Sequence, residues 1–99
     1  MMIRVEVDGN YITSLDEKGK RIKRFYTKGL FLGNSSELAI VQEGNYLQVY
    51  NEVFNKISRI HLKIDRFLSV SGDTFSVQIG NYAETYDKKG KRLSRKYSK

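Results

Sequence analysis

The chain has 99 residues and a formal net charge of +7, enough length for one small domain and too little for a second core. It has no cysteine, which removes disulfides, a thiolate nucleophile and thiolate metal sites, and no proline, which leaves turns to its eight glycines and to Asn, Asp and Ser. An apolar content of 39% with seven tyrosines and five phenylalanines suffices for a packed core and favours strands.

At the start, Ile3, Val5 and Val7 alternate with Arg4, Glu6 and Asp8, the period-two pattern of a half-buried strand. This opening lacks the apolar run of a signal peptide and no stretch reaches membrane-spanning length, so the default expectation is a cytoplasmic protein without a membrane partner. Gly9-Asn10-Tyr11 then opens a strand over 11–15, followed by the turn Asp16-Glu17-Lys18-Gly19 and a basic strand, RIKRFYT. A short apolar segment, Leu30–Leu32, is expected to close in a turn at Gly33-Asn34. Gly44-Asn45-Tyr46 opens the next strand over 46–50. Asn51 and Phe54 stand there in place of the turn's Asp and Gly, so that turn is expected to differ from its counterparts. An amphipathic helix over 51–62 can be forced onto the sequence, but alignment with two clear hairpins favours a strand, KISRIHL. Phe67–Val70 closes at Ser71-Gly72-Asp73, and Phe75, Val77 and Ile79 alternate with Ser76 and Gln78. Gly80-Asn81-Tyr82 leads a strand over 82–86, the turn Asp87-Lys88-Lys89-Gly90 and a last basic strand, RLSRKYS.

The three GNY segments therefore open copies of one unit of about 36 residues, a period that marks a repeat architecture. The expected fold is all-β, a single domain over 1–99 with repeats at approximately 1–28, 29–63 and 64–99. The first repeat lacks its opening strand, giving eleven strands grouped three, four and four. The stretch DRFLSVSGDTFSVQIGNYAETYDKKGKRLSRKY resembles the blade repeat of NHL-type β-propellers, where an apolar strand, a glycine turn, a second strand, an aromatic-Asp strand and a Gly-Lys turn follow in order. It also resembles small bacterial proteins of unknown function built from GN-aromatic, Tyr-Asp and Gly-Lys repeats. These resemblances imply propeller-blade-like units and transfer no activity. Propellers need four to eight blades, so three leave an open end with unpaired strand backbone and an apolar blade face. A homodimer would cover both. The alternative is a closed monomer with pseudo-threefold symmetry, such as a reduced β-trefoil-like barrel; other β-sandwich arrangements stay open.

His61 is the only histidine and shares its slot with Tyr26 and Tyr97, which reads as an aromatic body with a polar tip rather than a ligand or base. Asp16 and Asp87 read as turn residues that bond their own backbone two residues on, since neither turn gathers the oxygens that Ca2+ needs. Gly19 and Gly90 precede lysines but no helix follows, which excludes a phosphate loop. Three slots recur in all copies: Tyr11, Tyr46 and Tyr82; Arg24, Arg59 and Arg95; Lys28, Lys63 and Lys99. Structurally, each Tyr would cap a hydrophobic layer and each Arg would lie on a carbonyl or carboxylate. Functionally, the Tyr and Arg slots would form recurring pockets, Tyr as stacking platform and Arg as anion or hydroxyl contact. Lys20, Arg21 and Lys23 in the first repeat and Lys91, Arg92 and Lys96 in the third form a candidate polyanion patch, provided their strands are outer edges. The expectation is a non-enzymatic interaction or scaffold module with no cofactor and no metal, working as a homo-oligomer. The alternatives are nucleic-acid or polyanion binding through the basic rim, and lectin-like carbohydrate binding.

Overall fold

A computed structural model describes residues 4–97; Ile3, Ser98 and Lys99, which figure in the sequence reading, lie outside the described residues. Eleven strands form three antiparallel sheets, each a simple meander. The first sheet contains β1 (Arg4–Asp8), β2 (Tyr11–Leu15) and β3 (Arg21–Tyr26). The second contains β4 (Leu30–Asn34), β5 (Ala39–Glu43), β6 (Tyr46–Tyr50) and β7 (Lys56–His61). The third contains β8 (Arg66–Ser71), β9 (Thr74–Ile79), β10 (Tyr82–Asp87) and β11 (Arg92–Tyr97). The three-four-four grouping and the missing opening strand of the first unit are as the repeat alignment predicts. No closure into a barrel or ring is formed among the described residues, and the molecule measures 40 × 24 × 22 Å.

The sheets stack face to face in chain order. Ile12, with Val5 and Phe25 of the first sheet, packs on Ala39, Val41, Tyr50 and Phe54 of the second. The other side of the second sheet, Ile40, Leu47 and Val49 with Ile60, meets Phe75, Val77 and Tyr86 of the third. Both faces of the second sheet are thus covered, and β6 is almost wholly buried.

Equivalent slots change character where a neighbour is missing. The positions of Ala39 and Phe75 correspond to Arg4 in the first sheet, and those of Val41 and Val77 to Glu6; both replacements are exposed. On the far side of the third sheet, Ala83 stands where Ile12 and Leu47 stand, and exposed Lys96 where Phe25 and Ile60 stand. There Ser76 and Thr85 bond each other through their hydroxyls at 2.8 Å. The outer faces are more polar than the buried ones, while Leu68 and Leu93, the counterparts of Leu32 and Ile57, stay exposed on the third sheet.

The turns before the basic strands have one geometry in all three repeats. Asp16 Oδ1 accepts from the N–H groups of Lys18 and Lys20 at 3.0 and 2.9 Å, and Asp87 Oδ1 from Lys89 and Lys91, both at 2.9 Å. Asn51 Oδ1 does the same for Val53 and Asn55 at 3.0 and 2.9 Å. The middle turn was expected to differ and does not, because an Asn carbonyl oxygen accepts these bonds as a carboxylate does. Phe54 takes the glycine position with φ 57, beside φ 78 for Gly19 and 88 for Gly90. A left-handed non-glycine residue costs about 1–2 kcal/mol. Burial offsets it: Phe54 is 5% exposed and stacks on Phe25 at 5.4 Å.

The equivalent contact between the second and third sheets is Gly90 under Ile60, where a Cβ would lie 2.7 Å from Ile60 Cγ1. Large-on-large at one interface becomes small-on-medium at the next. Two hydroxyls tie the same points: Ser14 Oγ donates to the Glu52 carbonyl at 2.8 Å, and Ser58 Oγ to the equivalent Lys88 carbonyl at 2.6 Å. Gly33 is another correction. It lies inside β4 rather than in a turn, and a Cβ there would sit 2.9 Å from Phe67 Cε2 of β8, so close strand approach requires the glycine.

Candidate functional site

In each sheet the Gly-Asn turn sends Tyr into the start of the penultimate strand, and the antiparallel register decides what meets it. Tyr11 lies opposite Tyr26, Tyr46 opposite His61 and Tyr82 opposite Tyr97. Two residues along, Thr13 lies opposite Arg24, Gln48 opposite Arg59 and Glu84 opposite Arg95. The arginine is therefore the diagonal neighbour of the tyrosine on the same face, within reach of a long side chain. Its guanidinium sits over the ring: Arg24 is 4.2 Å from the Tyr11 centroid, Arg59 3.8 Å from Tyr46 and Arg95 3.8 Å from Tyr82. Tyr26, His61 and Tyr97 complete each set, with ring centroids 5.3, 4.9 and 5.7 Å from the respective tyrosines. His61 thus fills an aromatic slot, as its repeat equivalents indicate.

This arrangement alters the expected pocket. Tyr and Arg are not two separate arms around a ligand; the guanidinium lies on the tyrosine face that was to be the stacking platform. Its own outer surface stays open, since Arg24, Arg59 and Arg95 are all exposed.

The basic strands β3, β7 and β11 are the edges of their sheets. Lys20, Arg21, Lys23, Lys91, Arg92 and Lys96 are all exposed, and every residue of β11 is. Because β4 contacts both β1 and β8 at the opposite edge of the stack, the three basic strands form one row along the other long side.

A groove lies between β3 and β7 and its equivalent between β7 and β11, and their linings differ: Glu43, Gln48 and Lys56 of the first stand where Ile79, Glu84 and Arg92 do in the second. In the second groove Glu84, 5% exposed, accepts the Tyr86 hydroxyl at 2.6 Å and faces Arg92 at 3.7 Å and Arg95 at 3.6 Å. Burial, reinforced by the Glu84 carboxylate that accepts its proton, pushes the Tyr86 pKa up to about 12, so the hydroxyl stays a donor. In the first groove, about 360 Å³ in volume, neutral Gln48 holds the slot and accepts the Tyr50 hydroxyl at 2.8 Å. Burial, with Glu43 nearby, likewise raises the Tyr50 pKa. The cations lining this groove, Lys28, Lys56 and Arg59, have no ion-pair partner among the described residues. Glu43, the one acid there, accepts from Gln48 Nε2 at 3.0 Å.

The Tyr and Arg slots were identified from repetition alone, and so were the edge cations of the first and third repeats. Gln48, Lys56, Glu43 and Glu84 were missed. A signal for them existed: the slot two residues after each GNY tyrosine reads Thr13, Gln48, Glu84, so its charge changes along the array. No protein-family model, curated protein or solved structure matches the chain.

Proposed function

We propose that the protein is a non-enzymatic binding module that holds a polyanion along its row of outer edge strands. The observation that carries this reading is the alignment of β3, β7 and β11 on one side of the stack, with exposed cations on each and ion pairs only at Arg92 and Arg95 among their described residues. Edge protection explains lysines on a free strand. It does not explain arginines held over tyrosine rings in all three units, an arrangement that orders the guanidinium before any partner arrives. Retention on heparin and binding of a single-stranded oligonucleotide, both weakening steeply with salt, are the expected results. Absence of binding to either at low salt overturns the reading. Carbohydrate stacking on Tyr11, Tyr46 and Tyr82 is the weaker reading, because the guanidinium covers a ring face that a sugar would use.

A second observation bears on assembly. Among the described residues the outer edge of β1 is unpaired where β4 and β8 complete the other two sheets. A strand from a second copy is the occupant we propose. Sedimentation should give twice the 11.5 kDa chain mass; a monomer at micromolar concentration refutes this second reading.

A further inference from the structure

We propose that the groove between β3 and β7 is a phosphate site for a polyanion, and that the residue in the slot of Gln48 sets which grooves bind. The inference rests on the polyanion reading and gives it a location and a selector. The protein contains its own reference complex. In the second groove a carboxylate, Glu84, already occupies the anion position, facing Arg92 and Arg95. Strand register makes Lys56 and Arg59 the counterparts of these two arginines, since Lys56 lies opposite Tyr50 as Arg92 lies opposite Tyr86. Gln48 puts a neutral amide where Glu84 puts a charge, so the cations of the first groove keep their capacity for an external anion.

Phe25 lines the groove beside Lys28, whereas the Tyr26 ring turns to the opposite face of the first sheet, against Tyr11 at 5.3 Å. Glu43 opposes binding, but Gln48 Nε2 holds it by a hydrogen bond and three cations line the same groove.

Two reciprocal substitutions test this with an oligothymidylate and inorganic tripolyphosphate as probes. Gln48→Glu installs the carboxylate that the third sheet already accommodates, with Tyr50 placed to donate to it as Tyr86 does to Glu84. It should weaken oligothymidylate binding about tenfold, the scale of one charged contact. It should also make the salt dependence shallower, by about 0.7 in slope for each phosphate that the groove no longer neutralises. Glu84→Gln should free Arg92 and Arg95 and move both quantities the other way. Lys56→Glu, on an exposed edge position, repeats the loss should Gln48→Glu fold poorly by circular dichroism. If the parent protein binds neither probe at low salt, the polyanion reading itself falls. If the parent binds and all three substitutions leave affinity and slope unchanged, the groove assignment is overturned while polyanion binding stands. If oligothymidylate binds and tripolyphosphate does not, the groove is not a phosphate site and the assignment is overturned.

Discussion

Replacing Phe54 by glycine sets two opposed effects against each other in one side chain. Its φ of 57 lies in the left-handed region, so glycine relieves about 1–2 kcal/mol of strain. The same substitution removes a ring that is 5% exposed, stacks on Phe25 at 5.4 Å and meets Tyr50 edge-on at 6.3 Å. Truncating a buried Phe costs about 3–5 kcal/mol, because transfer and cavity terms add. Packing therefore wins, and Phe54→Gly should destabilise the fold by about 2–3 kcal/mol. For a domain of this size that lowers Tm by about 10–20 °C. Phe54→Ala loses the ring and keeps the strain, so it should fall about 1 kcal/mol further. Urea unfolding followed by circular dichroism checks the order parent, Gly, Ala. A glycine variant as stable as the parent would refute the view that the ring holds the first two sheets together.

Gly90→Ala and Gly19→Ala carry the same left-handed penalty but differ in surroundings, since a Cβ at Gly19 meets nothing within 4 Å and one at Gly90 meets Ile60 at 2.7 Å. Gly90→Ala should be the worse by about 1–2 kcal/mol in urea midpoints, the usual scale of overpacking; equal costs would mean Ile60 moves aside freely. Because the Tyr86 pKa is raised to about 12, its protonated form is favoured by folding. That contribution is fully present below the ordinary tyrosine value near 10 and is lost as pH rises through about 12. Thermal melts should show stability declining across that window in the parent and declining less in Tyr86→Phe.

Much of the fold was legible because alternation and turn chemistry agree in the first and third repeats, and the alignment carried both into the middle one. What escaped depended on non-local contacts. Gly33-Asn34 has turn composition, yet the glycine answers to the Phe67 ring, which sequence spacing does not place. Phe54 breaks the turn pattern, and only the presence of Phe25 and Tyr50 shows why that is tolerated. The β6 strand loses its alternation because both its faces are covered, a property of its place in the stack. Repetition picked out Tyr11, Tyr46, Tyr82 and their arginines. Strand register was needed to see that each arginine lands on the ring rather than across a pocket from it.

The stack has a consequence for how disturbances spread. Within each sheet the strands contact their sequence neighbours, and the strongest links between sheets, β4 with β8 and β1 with β4, join adjacent ones. A chain so connected behaves as three coupled units in a line, with the central one sharing an interface with each of the others. Loosening β11 costs the third sheet alone, whereas loosening β6 withdraws support from both flanks at once. Cooperativity is therefore uneven along the protein. Its most tolerant positions lie on the outer edge strands, above all β11, whose residues are all exposed, while changes in the central sheet are felt on both sides.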